Sequence, residues 1–167
     1  MTDKTPRRSR PHMPAYGIET GADGMLDWAW ADGQLNQARN YWICTSGADG
    51  RPHAAPVWGV WLEGTLYFGC ARSSRKARNI QAQPEIVAHL ESGDDVVILE
   101  GRAAVCADAA ILTRMIALYN AKYPGTDLDP ASDPETLYMA FTPHTAFGWL
   151  ERDFPKTATR WQFAVES

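Results

Sequence analysis

The chain has 167 residues, 45% of them hydrophobic and 22% charged, with a formal net charge of -4 and a pI near 5.5. That size and balance suit one globular domain with a hydrophobic core, and the acidic pI excludes a basic domain built for bulk nucleic-acid binding. No run approaches the about 18 uncharged apolar residues of a membrane span, and the N-terminal MTDKTPRRSRPHMP lacks the apolar stretch of a secretory signal, so a cytoplasmic protein is expected.

Residues 1–20 carry Pro6, Pro11 and Pro14 among Arg7, Arg8 and Arg10, with little apolar surface to offset ordering. A mobile tail is expected there, ahead of a single domain over residues 21–167. Residues 25–40 place Leu26, Trp30 and Leu35 at rough helical spacing, weakened by Gly33. YWICTS (41–46) reads as a strand, GADGRP as a hairpin turn, and HAAPVWGVWL (53–62) as the partner strand. Proline cannot donate to a ladder, so Pro56 marks that stretch as an edge or a bulge. Glu63-Gly64 turns the chain into the strand TLYFGC, and RSSRKARNI opens a short helix that Pro84 closes.

EIVAHLES (85–92) and DVVILEGRAAVC (95–106) form a further hairpin about Ser92-Gly93-Asp94. Residues 108–123 are the strongest helix, with an aspartate at the start and Ile111, Met115, Leu118 and Tyr119 on one face. A proline- and aspartate-rich loop over 124–134 follows. TLYMAFTPHTAFGWL then gives β-prone runs broken at Pro143, and RWQFAV gives a last strand. Six or seven short strands joined by tight turns, with helices at the margins, predict a mainly β fold, a small antiparallel barrel.

Trp58 and Trp61, three apart in one strand, must face opposite ways, one to the core and one to a surface. Seven tryptophans supply more flat surface than one small core needs, which fits a dimer face or a cleft for a flat ligand as well as an aromatic-rich core. Cys44, Cys70 and Cys106 follow no metal spacing and read as buried free thiols, and His12, His53, His89 and His144 form no short-range ligand pattern.

The charge pattern is informative at Arg72, Arg75, Lys76 and Arg78, four cations within seven residues of an acidic chain. They crowd the positive end of a helix dipole, where each costs roughly 0.3–1 kcal/mol. If Ser73 caps the helix, the position where a capping box puts Glu or Gln holds Lys76. Free helix-start amides, the Ser73 or Ser74 hydroxyl, Arg75 and Lys76 together suit a phosphate. The competing reading is a solvated basic face balanced by Glu63, Glu85, Glu91, Asp94 and Asp95.

In their order, DGRPHAAPVW, the strand LYF, SRKARNI with its following proline, EIVAHLE and VVILEG resemble the pyridoxamine 5'-phosphate oxidase-like family of split β-barrel flavoproteins, over about residues 38–107. The resemblance implies an FMN-binding split barrel in which Ser74, Arg75 and Lys76 hold the cofactor phosphate and Asn79 supports the loop, and the helix-start reading adds Ser73 to that cofactor-binding set. The resemblance also implies that the main chain of Ala55, Pro56, Val57 and Trp58 meets the flavin ring, and that two chains form a homodimer with the cofactor at the interface, near the partner's residues 96–100.

The oxidase that names the family holds its substrate phosphate with an arginine and a lysine where Ala55 and Val60 stand here, and with a C-terminal His-x-Arg that TATRWQFAVES lacks. Oxidation of pyridoxamine phosphate is therefore not expected. SRKARN with Thr159-Arg160-Trp161 looks more like the branches that use the deazaflavin F-420, whose longer anionic tail Arg72 and Arg78 would serve. The resulting expectation is an FMN- or F-420-dependent oxidoreductase moving a hydride to or from a small conjugated substrate. Trp58, His53, Tyr67 and Trp161 are the side chains nearest the ring in this reading, without an assigned catalytic role. The alternatives are a non-catalytic flavin carrier, a haem-binding barrel using His144 or His53, and phosphate binding on nucleic acid through residues 72–78; neither a membrane nor a nucleic-acid partner is expected.

Overall fold

Alternation along the strands builds the barrel in the computed structural model, which describes residues 5–164. In β2 (Asn40–Ser46) Tyr41, Ile43 and Thr45 are buried while Trp42 and Cys44 turn outward. In β6 (Asp95–Val105) Val97, Leu99 and Ala103 point inward, the period-2 signature of a sheet with one face on the core. The remaining strands are β1 (Arg7–Ser9), β3 (Pro52–Leu62), β4 (Thr65–Ala71), β5 (Glu85–His89), β7 (Thr136–Leu150) and β8 (Thr159–Gln162). Their order is β1-β8-β7-β4-β3-β2-β5-β6, and β6 also pairs with β7, which closes β2 to β7 into an antiparallel ring of six. The mainly β split barrel is thus as expected, with β1 and β8 as additions to the ring.

The runs expected to break at Pro143 are one 15-residue strand. Proline lacks the amide for a regular ladder, and a bulge absorbs the defect: Glu100 faces Thr145 but Gly101 faces Pro143, so His144 is the extra residue. A Cβ on Gly101 would lie 2.6 Å from the Pro143 Cα, which makes glycine the residue that fits there.

β3 changes neighbours halfway. Residues 52–58 pair with β2, whereas residues 59–62 pair with β4, so the first half has a strand on one side only. This is the edge that Pro56 predicts. Trp61 turns inward at 5% exposure and donates from Nε1 to Asp32 (2.7 Å), while Trp58 turns outward.

Helix α1 (Trp28–Gln37) buries Ala31 and Leu35 over one barrel mouth, with the Trp28 ring edge-on to Trp161 and Phe163. Helix α2 (Arg75–Ala82) follows β4, and α3 (Ala109–Lys122) starts where Asp108 accepts from the amides of Ala110 and Ile111. α3 covers a second cluster of Val60, Tyr67, Met115 and Tyr138. A short α4 (Phe154–Thr157) precedes β8.

The mobile tail expected over residues 1–20 is corrected from residue 5 onward; residues 1–4 lie outside the described residues. β1 pairs with β8, and the Arg10 guanidinium donates to the carbonyls of Gly21, Asp23, Lys156 and Ala158 at 2.6–3.0 Å. Composition undervalues this segment because arginine on backbone acceptors holds it alongside the buried Pro6 and Pro11. The three cysteines are free, but only Cys70 is buried, with Cys44 and Cys106 half-exposed. No described helix is long and apolar enough to cross a membrane.

Candidate functional site

After β4 leaves β3 the chain turns into α2, which packs against β2 and β4 near the His53 end of the unpaired β3 edge. The loop is held on both sides: the Arg72 amide donates to the Glu135 carbonyl (2.8 Å) and the Ser74 amide to that of Ala71 (2.9 Å). Ser74 then caps the helix, its Oγ accepting from the Ala77 amide at 3.1 Å, which satisfies one of the orphan donors of the first turn. Asn79, one turn further and buried, donates from Nδ2 to the Thr45 hydroxyl (2.9 Å) and so pins α2 to β2. The Ser73 side chain is exposed and makes no hydrogen bond among the described residues, leaving Ser73 rather than Ser74 with the uncommitted hydroxyl.

The four cations gathered at this turn have no carboxylate partner among the described residues. Arg78 donates to the Ser73 carbonyl (2.6 Å) and Arg72 to that of Pro134 (3.4 Å), while Arg75 and Lys76 make neither a hydrogen bond nor an ion pair. Among the described residues, none of the acids that would balance a solvated basic face pairs with these cations: Glu63 engages Arg114, Glu85 engages Arg102 and His144, Asp95 engages Arg152, and Glu91 accepts from Asn40. Uncompensated positive charge therefore adds to the positive helix end. Beneath it, burial pushes the Cys70 thiol up, while the Lys76 charge and a Ser74 hydrogen bond pull the other way.

From this point the unpaired edge of β3 runs past Ala55, Pro56, Val57 and Trp58. Val57 is in the core, Ala55 half-buried, and Pro56 and Trp58 face outward. Their main chain has no strand on the side away from β2. His53 stands at the start of the edge opposite Thr45, and its Nδ1 is buried without a partner. A buried polar atom left unpaired beside an open backbone edge offers bonding capacity that a ligand or a water can take up. Donors on the edge, unpaired cations at one end and an orphan ring nitrogen together match a flat, polar-edged ligand that carries a phosphate.

Two side chains expected near the ring stand apart from this site. Trp161 is fully buried in the main core, and Tyr67 lies under α3. Sequence reasoning missed Thr45, which pure strand alternation places inward, and a cluster around Trp58. The Trp58 indole stacks on Tyr123 with ring centroids 4.6 Å apart and planes 2° from parallel. The Tyr123 hydroxyl accepts from the Gly59 amide (2.9 Å) and donates to the Arg39 carbonyl (2.7 Å). Lys122 donates to the Tyr41 hydroxyl (3.0 Å) and the Gly59 carbonyl (2.8 Å), and burial lowers its ammonium to about 8. The four-residue spacing of Tyr119 and Tyr123 on α3 was the available signal.

Comparison with known proteins identifies the fold and the family. The family profile described as pyridoxamine 5'-phosphate oxidase matches residues 31–150. A conserved hypothetical protein of Mycobacterium tuberculosis superposes with a TM-score of 0.68 at 22% identity, over 90% of this chain and 98% of that one. An F420 reductase superposes at 0.56 and 20% identity, over 69% and 94% of the two chains. The haem storage protein HutZ of Vibrio cholerae gives 0.56 at 14%, over 69% and 88%. No curated protein matches in sequence. Identities this low establish a shared fold, and the profile match, which spans most of the barrel from α1 to the end of β7, establishes descent: the chain belongs to the pyridoxamine 5'-phosphate oxidase family.

Proposed function

We propose that the chain binds a phosphorylated flavin, FMN or the deazaflavin F-420, and acts as an oxidoreductase on a small conjugated substrate. The observation that carries this reading is the unpaired state of Arg75 and Lys76 at the start of α2, beside an open strand edge. The Ser73 hydroxyl, the first-turn amides and the two cations hold the phosphate, and Ser74 and Asn79 keep the loop in shape. The main chain of Ala55, Pro56, Val57 and Trp58 meets the polar edge of the ring, with His53 Nδ1 as a further partner. The bound ring supplies the hydride chemistry, and the protein supplies placement, hydrogen bonds and exclusion of water.

The same reading includes a homodimer. Trp42, Val87 and Ile98 turn outward on adjacent strands and are only half-buried, an apolar face suited to a second copy that would shield the cofactor. Haem binding through His144 has less support, because its two ring nitrogens already engage Thr145 and Glu85.

Replacing Arg75 and Lys76 together by alanine is expected to weaken FMN or F-420 binding about 100-fold or more, since each charge-assisted contact contributes roughly 1.5–3 kcal/mol. A fluorescence titration reads this directly, and an unchanged Kd would refute the site. Substrate-dependent reduction and reoxidation of the bound cofactor then separates an enzyme from a carrier, which would release the cofactor unchanged.

A further inference from the structure

At the opposite end of the open edge from α2, Trp58 presents a flat surface that the described residues leave partly uncovered. The indole is 39% exposed although one face is stacked on Tyr123. The stack is rigid: the Tyr123 hydroxyl is fixed by Gly59 and Arg39, and Tyr119 packs against the Tyr123 ring with centroids 4.7 Å apart. Beside it stands the Arg39 guanidinium, 5.3 Å from the Trp58 ring centroid and 5.7 Å from that of Tyr123. The Arg39 side chain makes no hydrogen bond or ion pair among the described residues, although acids are close. Glu91 and Asp95 line the adjoining groove of about 260 Å³, but they engage Asn40 (3.4 Å) and Arg152 (3.1 Å).

A preorganised aromatic face flanked by a guanidinium whose N–H donors have no partner among the described residues fits one ligand chemistry. The face takes a planar π-system, and the five donors of arginine grip a carboxylate or phenolate on the rim of that system. Trp58 lies five residue steps of extended strand from His53, about 17 Å at 3.3–3.4 Å per residue, so this cation and the α2 cluster serve different groups. We infer that Trp58 and Arg39 form a docking site for a planar, anionic small molecule of the aromatic-carboxylate type. The inference rests on the flavin reading only in naming that molecule the substrate.

The test uses the full chain, calorimetric titration, 2-naphthoate as probe and neutral 2-naphthamide as its isostere. The wild-type protein is expected to bind naphthoate at least tenfold more tightly than naphthamide. Arg39→Gln should abolish that preference, and Trp58→Leu should weaken both ligands at least tenfold. Retention of the preference in Arg39→Gln, or unchanged binding in Trp58→Leu, overturns the inference; if Trp58→Leu does not fold, Arg39→Gln decides alone. FMN titration of Arg39→Gln should stay within twofold of wild type. Wild-type protein that binds naphthoate with the expected preference but no flavin would sink the cofactor reading and leave this site standing, whereas flavin binding without naphthoate binding would do the reverse.

Discussion

The two sides of the barrel differ in how completely their groups are matched. On the closed side β7 lies between β4 and β6, and Leu66, Phe68, Leu99, Met139 and Phe141 are at most 1% exposed. There β7 has a strand on both sides except around the bulge, where His144 has no partner residue on β6. On the open side, β3 has one neighbour over residues 52–58, the His53 Nδ1 has no partner, and Arg75, Lys76 and Arg39 have no counter-charge among the described residues. The closed side buries its side chains almost completely, and the open side leaves bonding capacity unused among the described residues. Within a single small domain, rigidity on one side is what lets the other hold unmatched groups in place.

The largest effect should come from breaking the closed side. Phe141→Ala removes a ring that is 0% exposed between Leu66 and Ala103, and urea unfolding is expected to show a loss of about 3–5 kcal/mol. A loss below about 1 kcal/mol would mean that this side is not the better packed one.

A smaller effect lies where the two sides meet. Lys122 sits at about 8 in the folded protein against an ordinary 10.5. Between those values the unfolded chain holds a proton that the folded chain has released, so this group adds stability as pH rises from 8 towards 10.5, and its burial penalty is complete below 8. Cys44 and Cys70, whose thiols burial pushes up, act in the opposite direction at alkaline pH. The measurement is therefore the difference between wild type and Lys122→Met at pH 7.5 and 9.5. Wild type should gain on the variant at the higher pH, and parallel behaviour would show that Lys122 is not desolvated.

The smallest effect has the opposite sign to ordinary mutation. Replacing Arg75 and Lys76 by alanine should leave the ligand-free fold as stable or raise its stability by about 0.3–1 kcal/mol at low salt, because two cations leave the positive end of α2. Destabilisation by more than about 1 kcal/mol would make these cations structural and erase the contrast between the sides.

Much of the fold was legible because it rests on local rules. Alternation in YWICTS and DVVILEG, the turn at Glu63-Gly64, where both residues adopt positive φ (52° and 81°), the Asp108 cap and the Pro84 stop each act within a few residues. The cationic turn was legible for the same reason, since charge at a helix start is a local property. Pro143 misled because a bulge needs a glycine on another strand to accept it, and the N-terminal segment misled because Arg10 reaches carbonyls up to 148 residues away.

By itself, then, the sequence determined most of the barrel strands, the start of α3, the place of the cationic turn and the family that its motifs resemble. Tertiary structure alone decided which charges go unpaired, which of two serines is used up as a cap, and that Arg39, Trp58 and Tyr123 meet at one surface. The physical reason is separation along the chain: Trp58 and Tyr123 are 65 positions apart, and only closing the barrel and docking α3 against β3 brings their rings to 4.6 Å.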